Sequence, residues 1–183
     1  ASALLAEQLA TLIIAVSHKH TRLPIPYRKG ETVSCLSWGS FSTVQAVKSL
    51  SVDDANLFTL LCSFSFVTDG EDRIFPLFSH KFFNYIRANG LTTKVETHLK
   101  SIDLLNSGTI WYSATRSEDK VNLQYFSKQY YASPAPSKET VDKVYIQAFP
   151  FTEIGRELAN IAGGQPNKEF IEMLCEEGCI HLL

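Results

Sequence analysis

The side chains with most capacity for chemistry lie in residues 91–105, LTTKVETHLKSIDLL. Val95, Leu99, Ile102 and Leu105 repeat at helical spacing and form an inward stripe, which leaves Thr93, Lys94, Thr97, His98 and Ser101 outward with Lys100 beside them. Hydroxyls, amines and an imidazole on one helix face are groups that touch phosphates and base edges in a DNA groove. The charge count opposes that use. Between residues 91 and 131, Lys94, Lys100, Arg116, Lys120 and Lys128 are nearly cancelled by Glu96, Asp103, Glu118 and Asp119, and phosphate repels a carboxylate such as Glu96.

A second candidate is the basic cluster Lys19, Arg22, Arg28 and Lys29, joined by His18 and His20 in SHKHTRLPIPYRKG. It suits an anion-binding arm or, more simply, a solvated connector, because Pro24, Pro26 and Gly30 exclude regular helix. His18 and His20 lack a nearby third ligand, so no metal site is expected. Cys35, Cys62, Cys175 and Cys179 read as reduced thiols, since Cys175 and Cys179 match neither a redox C-x-x-C nor a zinc knuckle. No G-x-S-x-G, H-E-x-x-H, Walker or Rossmann signature occurs, and the five histidines are scattered, so no catalytic residue and no cofactor is assigned.

Composition sets the frame for these groups. The 183 residues are 45% hydrophobic and 20% charged with a net charge of −2, ordinary for a globular domain and short of the basic excess that a dedicated nucleic-acid binder carries. No run reaches the ~18 apolar residues of a membrane span. Glu7 and Gln8 interrupt the apolar N-terminus, which reads as no signal peptide, and the missing initiating Met suggests a fragment.

Periodicity then supplies the elements. Residues 1–16 form an amphipathic helix through Leu4, Leu5, Leu9, Leu12, Ile13 and Val16. With the basic linker it makes an N-terminal unit, 1–39, and residues 40–183 make a helical body. Helices are predicted at 40–50, from the Ser51 cap to Phe64, at 80–88, 92–105, 153–162 and 168–177, with Thr92, Thr152 and Asn167 as further caps. A small hairpin is predicted at 65–77, closed by Asp69-Gly70 and ended by Pro76. Strands are predicted at 108–112, 121–131 and 143–149, with a terminal one at 179–183.

Three stretches carry a resemblance: SVDDANLF at 51–58, LKSIDLL at 99–105 and FTEIGREL at 151–158. They resemble a family of uncharacterised bacterial and phage proteins, a domain of unknown function. Its pattern closes with a helix, a Gly-Leu-Ile-type turn, a strand pair and a Leu-Thr-x-x-Gly-x-Glu-Leu helix. Here Phe151 replaces the leucine, and Asp103 replaces the turn glycine, a change that aspartate's tolerance of the left-handed conformation permits. The resemblance covers about residues 40–162. It implies a bacterial or phage cytoplasmic protein and supplies no activity.

The expected fold is α+β and mostly helical, with a winged-helix-like C-terminal half (about 91–162) and a small antiparallel sheet. The expected function is a non-catalytic binding or regulatory module acting through protein contacts or self-association, with exposed aromatics such as Trp111, Tyr112, Tyr130 and Tyr131 as contact material. Duplex DNA binding by the 92–105 helix is the second reading and an enzyme without a recognisable motif the third. No small-molecule ligand is expected.

Overall fold

The computed structural model describes residues 41–114, 120–132 and 144–183. In chain order these hold α1 (Phe41–Ser49), α2 (Val52–Cys62), β1 (Phe66–Thr68), β2 (Arg73–Leu77), α3 (His80–Ala88), α4 (Thr93–Ser101), β3 (Ile110–Ala114), β4 (Val121–Tyr125), β5 (Lys128–Ala132), β6 (Val144–Pro150), α5 (Glu153–Ala162), α6 (Lys168–Glu176) and β7 (His181–Leu182). The amphipathic segment 1–16, the basic linker and the boundary at residues 39 and 40 lie outside the described residues.

Helix starts follow local chemistry. Ser51 and Asp54 close a reciprocal capping box at α2. Thr92, Thr152 and Asn167 each accept a backbone N–H from three residues on, as their positions predict, and Ser79 does the same for α3. Residues 102–105 depart from expectation, because α4 stops at Ser101. Asp103 takes φ 60° and the Leu104 N–H turns back to the Leu99 carbonyl at 3.0 Å, a C-terminal cap that satisfies an end carbonyl. Leu105 then leaves the helix and bridges Phe151.

The expectation of a mostly helical fold with a winged-helix-like half and a small sheet is corrected by the strands. They form one seven-stranded antiparallel sheet in the order β3-β6-β2-β1-β4-β5-β7. The β1–β2 hairpin, read from sequence as a small hairpin, is its centre: β2 also pairs with β6, and β1 with β4. A buried hairpin leaves backbone donors and acceptors on both outer edges, and flanking strands are what satisfy them. Pro76 does not end β2. It sits opposite Ala148, beyond the last β1 partner at Ile74, so β2 has a neighbour on one side only and the missing N–H costs no ladder bond.

The single strand predicted over 121–131 is two. β4 and β5 fold back on each other through Phe126 and Ser127, pairing Leu123 with Tyr130 and Gln124 with Gln129. Leu123, Tyr125, Tyr130 and Ala132 are buried while Gln124 and Gln129 are exposed, the alternation of a half-solvated sheet. The terminal strand forms as β7 on β5.

One hydrophobic core serves sheet and helices. Phe170 of α6 is fully buried at its hub, with ring centroids 5.1 Å from Phe64, 5.7 Å from Phe82, 5.8 Å from Tyr125 and 6.0 Å from Phe66. α2 packs on α4 and α5, α1 on α5, and α3 on α6.

Candidate functional site

The six α4 residues share one short helix, but most of its polar groups are already occupied within the chain. The Lys100 ammonium lies 2.6 Å from the Glu96 carboxylate and 3.3 Å over the Phe149 ring. His98 Nε2 meets Asp54 Oδ1 at 2.5 Å, joining α4 to the first turn of α2. The hydrogen bond from His98 is the main reason the Asp54 carboxyl sits below its usual range; burial opposes it, and the Ser51 backbone N–H and hydroxyl reinforce it. Ser101 donates to the His98 carbonyl at 2.7 Å, and Thr93 accepts from Arg87 at 3.3 Å. Lys94 and Thr97 are exposed. Lys19, Arg22, Arg28 and Lys29 lie outside the described residues.

A different pair of helices builds an open cleft. Between α3 and α6 is a cavity of about 450 Å³ lined by Lys81, Tyr85, Glu169, Glu172, Met173 and Glu176. Glu169, Glu172 and Glu176 follow at steps of three and four, which puts three carboxylates on one helix face. That spacing was visible in KEFIEMLCEE, but nothing in the sequence said that α3 would wall it. The Tyr85 hydroxyl fixes the floor, reaching Asn167 Oδ1 at 3.1 Å and Glu169 Oε2 at 3.4 Å. Lys168 pairs with Glu172 at 3.1 Å, and Lys81 with Glu177 at 3.2 Å. Lys81 and the Ser79 hydroxyl hold the exposed Glu177 carboxyl below its usual range. Glu176 has no cationic partner among the described residues.

Nucleophilic chemistry finds little support in the geometry. Cys62 is fully buried and its thiol is pushed up to about 12 by desolvation, which leaves no thiolate at neutral pH. Burial also raises Cys175 and Cys179. Among the described residues no group of three His, Cys, Asp or Glu side chains is placed to hold a metal ion, and no helix is long and apolar enough to cross a membrane.

The architecture is thus an α+β domain built on one antiparallel sheet, with an acidic cleft between two of its helices. The family described as protein of unknown function DUF2806 matches residues 35–175, and the chain belongs to it. No curated protein and no solved structure matches the chain. The matched stretch contains the joint that the FTEIGREL motif builds. Thr152 Oγ1 donates to the Asp103 carbonyl at 2.5 Å and accepts from the Gly155 N–H at 2.9 Å, locking the start of α5 onto the turn after α4.

Proposed function

We propose that the protein is a non-catalytic binding module whose α3–α6 cleft takes a basic segment of a protein partner. The observation that carries this reading is the cleft itself: three carboxylates on one face over an apolar floor of Tyr85 and Met173, with Glu176 uncompensated. Electrostatic complementarity of this kind steers encounter and selects partners more than it adds raw affinity. The charge distribution supports it. Residues 1–40 carry Lys19, Arg22, Arg28 and Lys29 against Glu7 and Glu31, so the acidic excess lies in the rest of the chain. The likeness of residues 51–58, 99–105 and 151–158 to bacterial and phage sequences supports a setting in that cytoplasm. Duplex DNA binding ranks behind, because Lys100 and His98 are engaged within the chain and Lys94 is left as the cation that α4 has to offer.

The test is fluorescence anisotropy of the full chain with a labelled Lys/Arg-rich peptide and with random duplex DNA, each at two salt concentrations. Peptide binding that weakens with salt and falls at least about tenfold in Glu169→Lys/Glu176→Lys is expected. Salt-sensitive DNA binding without peptide binding would return the α4 face to first place. Light scattering of the free chain adds the remaining outcome: association that the double variant abolishes identifies the partner as a second copy.

A further inference from the structure

The tip of the β4–β5 hairpin faces the start of α6 across a cavity of about 310 Å³, lined by Tyr125, Phe126, Lys128, Tyr130, Asn167 and Ile171 among others. Its size falls at the lower end of the ~300–1,000 Å³ typical of small-molecule sites. Three aromatic rings and an isoleucine make the walls, and Lys128 and Lys168 stand on the lining. Lys168 is balanced by Glu172, which also lines the cavity, so Lys128 supplies the net positive charge.

Two observations mark this cavity as more than a packing gap. Tyr130 is only 4% exposed, yet among the described residues its hydroxyl has no hydrogen-bond partner. No fully occluded side-chain oxygen or nitrogen lacks a partner among the described residues, so the Tyr130 hydroxyl keeps some solvent access. A phenol with solvent access and no partner within the described chain can exchange water for a ligand's acceptor. The second is backbone strain. Phe126 takes φ 53°, a conformation that bulky side chains rarely adopt, at a turn where glycine or asparagine would sit without cost. Its ring lies edge-on to Tyr125 with centroids 4.8 Å apart, and the strain holds it in the cavity wall. By contrast, the other Tyr125 contacts are fully used: its hydroxyl donates to the Ser63 carbonyl at 2.7 Å and accepts the Asn167 N–H at 2.8 Å.

We propose that this cavity binds a small aromatic carboxylate, its ring between the Phe126 and Tyr130 side chains and its carboxylate on the Tyr130 hydroxyl and the Lys128 ammonium. Aromatic walls select a planar ring, and a phenol beside an ammonium is a donor pair for a carboxylate. The cavity shares Glu172 with the acidic cleft, but its proposed donors, Tyr130 and Lys128, lie outside that cleft's lining.

Isothermal titration of the full chain with indole-3-carboxylate, benzoate and the neutral amide of each tests the assignment. Saturable binding of at least one carboxylate, tighter than its amide, is expected. Tyr130→Phe should weaken it about tenfold while leaving Tm unchanged or raised, because the folded chain loses an unpartnered hydroxyl. Lys128→Gln should weaken the carboxylate by a similar factor and spare the amide. Absence of binding at millimolar ligand, or binding that neither variant changes, overturns the proposal. So does a fall in Tm for Tyr130→Phe, which would show the hydroxyl to be bonded within the fold.

Discussion

Gly155→Ala is the substitution whose cost the structure specifies most closely. A Cβ built at residue 155 lies 2.1 Å from the Leu104 carbonyl oxygen and 3.1 Å from its carbon. The obstacle is backbone, held by the left-handed Asp103 and by the Thr152 hydroxyl, so no side chain can rotate away. Relief requires α5 to withdraw from the α4 turn by about 1 Å, which is overpacking with a typical cost of ~1–3 kcal/mol. The move also stretches the Thr152 contacts to Asp103 and Gly155, a cap worth ~1 kcal/mol. Replacing a helical glycine returns about 1 kcal/mol of propensity, so the net loss is ~1–3 kcal/mol. For a chain of this length that corresponds to a fall in Tm of about 2–12 °C. Urea unfolding followed by far-UV circular dichroism measures it, with the slope m expected to stay constant. Gly108→Ala is the control, because nothing lies within 4 Å of its Cβ position and its φ is not left-handed. It should be neutral or slightly stabilising, by up to ~1 kcal/mol. A Gly155→Ala protein within ~0.5 kcal/mol of the parent, the usual range of harmless surface changes, would refute the close approach.

Other substitutions probe the remaining joints. Asp54→Asn should cost ~0.5–1 kcal/mol at pH 7, since it weakens the capping box and the His98 contact together. The folded Asp54 pKa lies below its unfolded value of about 3.9, so its stabilisation is present above that value and lost as pH falls through the folded one. Stability curves of parent and variant should therefore converge in acid, and parallel curves would contradict the pairing. Tyr125→Phe strips partners from the Ser63 carbonyl and the Asn167 N–H and should cost ~2 kcal/mol in a chemical melt. An aromatic thiol reagent at pH 8 should modify exposed Cys175 in the native protein and reach Cys62 only on unfolding, as peptide mapping would show.

How much of this was legible depends on the sequence distance over which a contact is satisfied. Ser51, Thr92, Thr152 and Asn167 announced helix starts because each cap oxygen finds its donor three residues away. Asp103 was legible as a left-handed position only through the resemblance, whose pattern has a turn glycine there, since periodicity alone carried the helix on to Leu105. The sheet was not, because β3 pairs with β6 across thirty or more residues and β1 with β4 across more than fifty, and strand periodicity names no partner. β2 misled further, since its internal proline marks a one-sided stretch of an inner strand rather than an end. The β4–β5 turn was invisible because Phe126 and Ser127 are neither glycine, asparagine nor aspartate.

The same distances decide what could be read of the sites. The polar residues read as one face do share α4, yet His98 is taken up by Asp54, which lies 44 residues away. The three α6 carboxylates were legible as a face and became a cleft only when α3 docked beside them. The hairpin cavity was hidden twice over. Its wall residue Phe126 is where turn chemistry is violated, and Tyr130, read from the sequence as an exposed contact aromatic, is buried on the inner face of β5. A bulky residue kept at positive φ costs free energy that any glycine would spare, so the ring itself must contribute something to offset it. Contact with Tyr125 accounts for part of that, and a ligand stacked on the opposite face would account for the rest. Phe126→Gly separates the two: it should relax the turn and abolish carboxylate binding, whereas a purely structural ring would leave binding intact.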